Sequence, residues 1–580
     1  MKFLKIFFSI LAILLLAAAI GILIFCKTFN IDKYKPDIAR QIGTMINRDV
    51  TIGDINLDFS ADQGIIIDFT QLAIADGKDF SSGNFLELGS VNLNVNVWKF
   101  IKTRQLDFSG IVVDGLRVNL IRLKDGRLNI PMPPPGEPPD ASGLNIKTIR
   151  FKNSRITLTD RSVEPPLVVP VGNLELEVTD FAVEKPVNFI GRWSLYSAEP
   201  NFDGAGSLRV DRQLMNFQLE NFKLNSRLSA ISLDDLKRQA AALPFVRNLK
   251  RLQGYVTVTI PQLTFGPAGL KGLTLETEVK ELVIDTPDLP VPLDNAGGGI
   301  RLADNHLDLK NWNVPLASGK ILFNATVSNL IFSRKLHADV KALDLDLAQL
   351  LKIVPDLALP PGTGVTGRLN ADLTADASAL DPNKILETLT AQGTMSVADG
   401  KVFGFNLMQS IMTQIDTLSQ ILGLGPGIKD AVLEKLPEHY KNKLDDNEMP
   451  IRQLEFMFEM KGQTVHFHDA TVGVEEGTLM VEGNVDLKQN LSLVPHIFVN
   501  PELTAILVRA VEDFQALVGE DGRLSVPLEA YNGPAVNVKI IPDINVLIKA
   551  LGTARIKTEI KDILEDKLNI PQNILDSILR

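Results

Sequence analysis

The feature that most constrains this chain is an alternation of apolar and polar side chains that recurs along most of its 580 residues. In the segment VNLNVNV, Val91, Leu93, Val95 and Val97 share one side and three asparagines share the other. A period of two residues is typical of β-strands with one apolar and one polar face. The pattern predicts a mainly β protein. Because soluble proteins rarely leave large apolar faces bare, these faces must be covered by protein or by a ligand.

Further segments repeat the alternation and are separated by turn signals. Alternating runs lie at 174–178, 255–260, 273–279 and 536–540. Turns are predicted from glycine-containing pairs and runs at 76–77, 125–126, 296–299, 399–400 and 521–522. In the stretch LTAQGTMSVADGKVFGFNLMQ, Met395 and Val397 share one face before the expected turn, and Phe403 and Phe405 share one face after it. The runs follow no fixed spacing, which argues against a simple solenoid or propeller.

The N-terminal segment predicts a membrane anchor. Lys2 and Lys5 precede an uncharged apolar run from Ile6 to Cys26, long enough as a helix to span about 30 Å. The predicted anchor includes Ile6, Leu11, Leu15, Ile20, Leu23 and Cys26. A cleaved signal peptide is the competing interpretation, but its apolar region should end after roughly 7–15 residues. We favour an uncleaved single-pass anchor with most of the chain outside the cytoplasm.

Composition excludes several kinds of site and partner. Cys26 is the single cysteine, so a disulfide framework and a zinc–thiolate site are excluded. A net charge of −11 argues against a nucleic-acid partner, because phosphate binding needs basic patches.

Three amphipathic helices are predicted beside the strands. The first lies within 32–50, with Pro36 in its first turn and Ile38, Ile42, Met45 and Ile46 along one side. The second carries the apolar stripe Leu407, Met408, Ile411, Met412, Ile415, Leu418, Ile421 and Leu422. Packing onto the sheet is the first interpretation of this stripe, a lid over a lipid groove the second, and membrane-surface binding the third. The third helix forms the tail from about Thr553.

Candidate chemical sites are weak. His466 and His468 could share a strand face, but no strong third metal ligand follows, so two polar residues on a solvated face are the preferred interpretation. GTGVTG at 362–367 has the glycine spacing of a dinucleotide-binding fingerprint. A strand-like segment follows it where that fingerprint requires a helix, so a dinucleotide site is not predicted. No nucleophile elbow or H-E-x-x-H motif is present. We predict no catalytic residue, cofactor or metal, and no enzymatic activity.

The domain prediction follows these changes of pattern. The predicted segments are a stub and anchor at 1–27, a β region with its entry helix at 28–130, a proline-rich loop at 131–143, a middle β region at 144–380, a C-terminal β region at 381–540 with a helical insertion at 405–446, and a helical tail at 541–580.

The order of these pieces resembles the AsmA-like family of envelope proteins. The matching segments are NRDVTIGDINLDF, LDFSGIVVDGLRVNLIRLKDGRLNI, LNIKTIRFKNSRITLTD, PVNFIGRWSLYSAEPNFDGAGSLRVD, the G-x-M-x-V-x-D-G stretch, DATVGVEEGTLMVEGNVDLKQNLSL and GRLSVPLEAYNGPAVNVKIIPD. The resemblance implies an N-terminal transmembrane helix followed by a long, curved, groove-like antiparallel β-sheet with amphipathic helices. It also implies an inner-membrane protein whose bulk is periplasmic.

The resemblance further implies lipid transport between the inner and outer membranes, with phospholipid acyl chains sheltered in an apolar β groove. Candidate groove residues are Val91, Leu93, Val95, Val97, Met395, Val397, Phe403 and Phe405. The expected partners are phospholipids, the inner membrane, and the outer membrane or an envelope protein at the far end. The alternative is an assembly factor for outer-membrane proteins with a dry β-sandwich core. A periplasmic hydrolase is a third interpretation.

Overall fold

The computed structural model describes residues 34–546 and residue 549, with gaps at 61–63, 97–106, 132–144, 213–215, 267–268, 331–333, 354–361, 381–383, 405, 422–427, 489, 535–540, 542, 544 and 547–548. The chain divides into two compact units, unit 1 from Met1 to Lys310 and unit 2 from Asn311 to Arg580. The predicted anchor residues, the 536–540 run, the helical tail, Val97 and Phe405 lie outside the described residues.

Unit 1 is mainly β. Its strands are β1 Val50–Thr51, β2 Ile55–Ser60, β3 Gly64–Ala75, β4 Asn84–Val95, β5 Asp107–Asp114, β6 Arg117–Arg122, β7 Asn145–Asp160, β8 Leu167–Ala182, β9 Val187–Leu195, β10 Phe202–Val210, β11 Phe217–Arg227, β12 Arg251–Gly266, β13 Gly269–Lys271, β14 Leu275–Asp285 and β15 Leu293–Ala303. Its helices are α1 Lys35–Ile46, α2 Leu233–Gln239 and α3 Pro244–Arg247, with 3-10 turns at Phe80–Ser82 and Leu228–Ala230. Strand β16, His306–Leu316, contains the division point.

Unit 2 is also mainly β. Its strands are β17 Gly319–Ser328, β18 Lys335–Asp346, β19 Gly364–Ala377, β20 Thr390–Phe403, β21 Glu448–Ile451, β22 Gln453–Lys461, β23 Thr464–Gly473, β24 Gly477–Asp486, β25 Asn490–Val499, β26 Ser525–Pro527 and β27 Tyr531–Pro534. Its helices are α4 Leu347–Ile353, α5 Ile385–Thr388, α6 Leu407–Ile421, α7 Ile428–Lys435, α8 Glu438–Asn442 and α9 Pro501–Ala510, with 3-10 turns at Lys443–Asp445 and Glu512–Leu517. The mainly β prediction is confirmed.

The prediction of a purely antiparallel sheet is wrong. Strands β5 and β6 both run antiparallel to β4 and parallel to β7, so the sheet of unit 1 is mixed. Parallel neighbours need a connection of a dozen or more residues, because the chain must return to the same end of the sheet. Residues 123–144, which include the proline-rich loop, supply that length.

Two predicted turns are wrong as well. Residues 296–299 lie inside β15, and Asp399 and Gly400 lie inside β20. Asp399 takes a positive φ of 50° where the pairing with β19 shifts by one residue, so the Asp-Gly pair forms a β-bulge. Asp469 in β23 has the same role, at a φ of 51°. Asp and Asn tolerate this conformation better than most residues, which is why a turn signal and a bulge signal look alike.

The first hydrophobic core lies in unit 1, and we call it the N-terminal core. Helix α1 begins with Pro36 in its first turn and ends at Asn47 in the left-handed conformation. Its buried side chains Ile38, Ile42 and Ile46 belong to one cluster with apolar residues of β2–β7. Met45 was predicted to lie on this side of the helix, but its side chain is 39% exposed, so that prediction is wrong.

The second core lies in unit 2, and we call it the C-terminal core. The stripe residues Leu407, Met408, Ile411, Met412 and Ile415 of α6 are buried against α7, α9 and the ends of β24 and β25. For these five of the eight stripe residues, the first interpretation, packing onto the sheet, is confirmed in part, because they pack against other helices as well as against strand ends. Asn406 starts α6 by accepting a hydrogen bond from the backbone N–H of Gln409 at 2.9 Å, and Asn500 caps α9 through the N–H of Leu503 at 2.7 Å.

Candidate functional site

The strands of unit 2 align an uninterrupted set of apolar side chains on one side of the sheet. The strand register pairs Phe323 with Val340, Val340 with Leu373, and Ala371 with Met395. It continues from Met395 to Phe456 and from Phe458 to Phe467. The last steps join Val465 to Val485 and Val485 to Leu491. We call this side of β17–β20 and β22–β25 the unit 2 apolar face.

No polar side chain interrupts this face in the described register. Its positions are leucine, isoleucine, valine, phenylalanine, methionine, alanine, glycine and Pro495. With a strand spacing of about 4.8 Å, eight strands make a face roughly 35 Å wide. An apolar face of this width is larger than a soluble protein normally leaves in contact with water.

Most side chains of this face are half-buried. Met395, Phe456, Phe458 and Phe467 each keep part of their surface accessible. In the N-terminal core, by contrast, Leu93 and Val95 are 0% exposed. Removing the remaining apolar surface of each side chain from water would contribute about 25 cal/mol per Å². The face is therefore suited to bind apolar molecules.

The opposite side of the same strands carries charged and polar side chains. Lys341 lies 2.8 Å from Asp372 on the neighbouring strand, and the Thr374 hydroxyl donates a hydrogen bond to Asp339 at 3.0 Å. His337 Nδ1 lies 2.8 Å from Asp376 Oδ1, and this hydrogen bond raises the pKa of His337. The two sides of the sheet thus differ sharply in polarity, as the alternation in the sequence requires.

One set of strand ends of the unit 2 apolar face is closed by protein. Leu347 and Leu350 of α4 pack against Leu345, Leu369 and Val397. Beyond the bulge in β20, Val402 packs against the C-terminal core. The helical insertion is fixed there by Lys443, which forms ion pairs with Glu475 and, at 2.9 Å, with Glu476. Burial lowers the pKa of Lys443, but its hydrogen bonds to the two glutamates outweigh that effect and raise it.

Unit 1 carries a second apolar face, on β8–β12. The register joins Val178 to Phe189, Trp193 to Phe202, and Leu224 to Val258. The indole ring of Trp193 stacks on Phe202 at 6.2 Å between ring centroids, and Phe189 lies 6.0 Å from Phe222. These rings lie over Gly204 and Gly206, where an added Cβ would approach Trp193 and Phe189 to within 3.1 and 3.2 Å. Glycine at these two positions leaves room for the two rings.

The structure separates the groove candidates into two groups. Val91, Leu93 and Val95 are 1%, 0% and 0% exposed inside the N-terminal core. Met395 and Val397 lie on the unit 2 apolar face, where Val397 is buried at its closed end. Val402 packs against the C-terminal core, so its neighbour Phe403 lies on the other side of β20, together with Lys401. Lys401 pairs with Glu448 at 3.0 Å.

Several residues of the face are missing from the sequence-based candidates. Phe456, Phe458 and Met460 come from the segment QLEFMFEMK, and Phe467 faces Phe458 from the next strand. The alternation in this segment is clear in the sequence. The sequence does not reveal the strand register, which aligns these aromatic side chains with Met395.

The candidate chemical sites do not assemble. His466 lies opposite Glu459 and Asn484, and His468 lies opposite Met457. Within the described part of the chain, no cluster of His, Cys, Asp and Glu could hold a metal ion. Gly364 begins strand β19, so the GTGVTG segment leads into a strand and not into the helix that a dinucleotide site needs. Among the residues described, no helix is sufficiently long and apolar to cross a membrane.

Comparisons with known proteins identify one family. The sequence model described as the AsmA family matches residues 1–248 and 286–428. The match covers most of the chain, including the predicted anchor, the N-terminal core and strands β17–β20. No curated protein and no solved structure matches the chain.

Proposed function

The chain belongs to the AsmA family, and from that premise we propose that it shelters phospholipid acyl chains on the unit 2 apolar face and supports lipid transport or homeostasis between the inner and outer membranes. The proposal includes a single-pass inner-membrane anchor at residues 6–26 and a periplasmic location for the bulk of the chain. Its partners are phospholipids, the inner membrane, and the outer membrane or an envelope protein at the far end.

The observation that carries the proposal is the combination of width, composition and exposure of the unit 2 apolar face. The register aligns Met395, Phe456 and Phe458 on this side with no polar side chain among the described positions. These side chains are only half-buried, so apolar surface is left for a ligand. Acyl chains are long, flexible and apolar, and they can follow a surface of this kind without needing any hydrogen-bond partner.

The proposed mechanism is passive. Acyl chains leave water by lying across the apolar side chains, and head groups stay in water at the edge of the sheet. Since the face offers no directional polar contact, an acyl chain can move along it in small steps, each exchanging one apolar contact for another. No covalent step and no catalytic residue are involved.

Site-specific photocrosslinking in the full chain tests this proposal. The photoreactive amino acid p-benzoylphenylalanine replaces Phe458, on the apolar face, or its neighbour Met457, which is 50% exposed on the opposite face. After irradiation of cells, the protein is purified and digested, and lipid-modified peptides are measured by mass spectrometry. We expect phospholipid adducts at position 458 at a level several-fold above those at position 457.

The control isolates the two faces, because the positions are adjacent in sequence and one strand carries both. Equal adduct levels at the two positions, or none at either in a folded protein, would contradict the proposal. That result would favour the alternative of an assembly factor for outer-membrane proteins. In that case protein adducts, rather than lipid adducts, should appear at position 458.

A further inference from the structure

The chain leaves unit 2 beside the last strand of the unit 2 apolar face. Strand β25 is that last strand, and β26 pairs with it through His496 and Pro527. The backbone N–H of Asp543 donates a hydrogen bond to the carbonyl of Pro527 at 3.0 Å. Asp543 therefore lies next to β26, which places it about two strand spacings, or roughly 10 Å, from β25.

A helix begins at this point. The Asp543 carboxylate accepts hydrogen bonds from the backbone N–H groups of Asn545 at 3.0 Å and Val546 at 3.1 Å. Asn545, Val546 and Lys549 are helical. An aspartate that bonds the first free N–H groups is a typical helix N-cap. The chain beyond Asp543 thus starts as a helix near the face, and its continuation from 550 to 580 lies outside the described residues.

This continuation has the length and the apolar pattern needed to cover a sheet. The sequence predicts an amphipathic helix over 553–570, which would be about 27 Å long. Its apolar residues recur at helical spacing, and we call them the tail stripe: Ile556, Ile560, Ile563, Leu564 and Leu568. An isolated helix of this length is only marginally stable in water, so the tail stripe needs a surface to pack against.

The tail is long enough to place this stripe over the centre of the face. Residues 544–570 would extend about 40 Å as a continuous helix. Counted across the sheet from Asp543, Phe467 on β23 and Phe458 on β22 are four and five strand spacings away, or about 19 and 24 Å. Both side chains are half-buried, so they keep apolar surface against which the tail stripe can pack.

Charge favours this intramolecular surface over a membrane surface. From 553 to 570 the tail contains four basic and four acidic residues, so it has no net charge. Helices that bind a membrane surface are rich in lysine and arginine on their polar side. Balanced charges are instead typical of a helix whose polar side is in water and whose apolar side packs on protein.

We propose that the tail stripe packs on the unit 2 apolar face, over Phe456, Phe458 and Phe467, and covers it when no lipid is bound. The helix removes from water part of the apolar surface that these side chains keep accessible. This cover goes beyond the proposed function and does not depend on it. One consequence does rest on the proposed function: lipid and tail compete for the same side chains, so the tail regulates access to the face.

Cysteine pairs in the full chain test the cover. The native Cys26 is replaced by serine, and the protein is reconstituted in lipid nanodiscs. Phe458→Cys is combined in turn with Ile560→Cys and Ile563→Cys, and a short bismaleimide joins cysteines that lie close together. We expect an intramolecular product for at least one pair, at a yield several-fold above that of the matched pairs with Met457→Cys. Met457 is 50% exposed on the opposite face of the same strand.

Charge variants of the tail test the competition with lipid. Ile560→Asp with Ile563→Asp places two carboxylates in the tail stripe, and Thr558→Asp with Asn569→Asp places two on the other side of the predicted helix. Each pair is introduced into the chain that carries p-benzoylphenylalanine at position 458. We expect lipid adducts at this position to increase several-fold in the stripe variant, because the cover no longer packs, and to stay at the wild-type level in the control.

The outcomes separate the cover from the proposed function. Crosslinked products at position 458 with no lipid adducts in any variant would support the cover and contradict the proposed function. Lipid adducts at position 458 that do not change in the stripe variant, with no crosslink to the tail, would overturn the cover and leave the proposed function standing. Equal crosslinking at positions 457 and 458, or a product that joins two chains, would also overturn the cover. Resistance to limited proteolysis checks that each variant is folded.

Discussion

The N-terminal core and the unit 2 apolar face are built from the same alternating pattern but meet different surroundings. In the N-terminal core, Leu93 and Val95 are 0% exposed. They belong to one cluster of buried side chains that also contains Ile38, Ile42 and Ile46 of α1. On the unit 2 apolar face, Met395 and Phe456 have equivalent positions in their strands but remain half-buried. An amphipathic strand thus specifies a face that must be covered, and it does not specify the cover.

This difference indicates which apolar face stabilises the fold and which one is left to bind a ligand. A covered face supplies stability, since each buried leucine or phenylalanine contributes about 1.5–3 kcal/mol relative to its exposed state. A half-covered face contributes less to stability, and its remaining accessible apolar surface can bind a ligand. Charged substitutions at matched positions of the two faces should therefore destabilise the protein to different extents.

The largest expected effect comes from that substitution pair. Leu93→Asp places an unpaired carboxylate in the N-terminal core and should lower the free energy of unfolding of unit 1 by more than about 4 kcal/mol. Phe458→Asp should cost about 1–2 kcal/mol, because water can reach the carboxylate at a half-buried position. Urea unfolding followed by circular dichroism measures both. Equal losses would mean that the unit 2 apolar face is as tightly packed as the N-terminal core.

Arg48→Ala should have the next largest effect, on the closure of the N-terminal core. The Arg48 guanidinium donates hydrogen bonds to the carbonyls of Ala75 at 2.9 Å and Asn129 at 2.8 Å, and lies 5.3 Å from the ring centroid of Phe85. Its loss removes one donor from each of two partly buried carbonyls, at a cost of about 2–3 kcal/mol. Arg48→Lys should recover less than half of the loss, since one ammonium cannot replace the planar fork. The urea midpoint measures both variants, and full recovery by lysine would contradict this account.

The ion pairs of Lys443 predict a pH dependence confined to unit 2. Hydrogen bonding to Lys443 lowers the pKa of Glu475 below its ordinary 4.5, and the glutamates raise the pKa of Lys443 above 10.5. The Glu475 contribution is therefore present above pH 4.5 and is lost as the pH falls through its folded-state pKa. The Lys443 contribution is present below pH 10.5 and is lost as the pH rises through its own.

Thermal unfolding of the wild type and of Lys443→Met across these two pH ranges checks the prediction. The melting temperature of the wild type should fall at both extremes, and the variant should show a shallower fall at each. Lys401→Met is the matched control, because Lys401 forms one exposed ion pair with Glu448. Parallel pH profiles for wild type and Lys443→Met would exclude a stabilising role for the Lys443 network.

The smallest expected effect concerns the polar side of unit 2. Hydrogen bonding to Asp376 raises the pKa of the exposed His337 above 6.5. A raised pKa stabilises the fold below pH 6.5, and the contribution disappears as the pH rises through the folded-state value. NMR titration of the His337 ring should give a midpoint above 6.5 in the wild type and a lower midpoint in Asp376→Asn. Identical midpoints in the two proteins would show that the hydrogen bond to Asp376 does not raise the pKa of His337.

Much of the fold could be predicted from local sequence, and less of the candidate site. Strands around Val91, Leu176, Val258 and Met395 follow from their period of two, and α1 follows from Pro36 and its apolar side. Met395 was identifiable as a residue of an apolar face. Phe456, Phe458 and Phe467 were not distinguished from other alternating residues, because the register that brings them beside Met395 depends on strands that are distant in sequence.

By itself, the sequence determined that this protein is mainly β, that its strands have one apolar and one polar side, and that α1 and α6 have an apolar stripe. These properties depend on neighbouring residues, whose spacing sets which side each side chain occupies. Only the tertiary structure decided that Asp399 forms a bulge, that β5 and β6 run parallel to β7, and that Leu93 is covered while Phe458 is not. Those outcomes depend on which distant segments meet, and a local pattern of polarity contains no information about its partner.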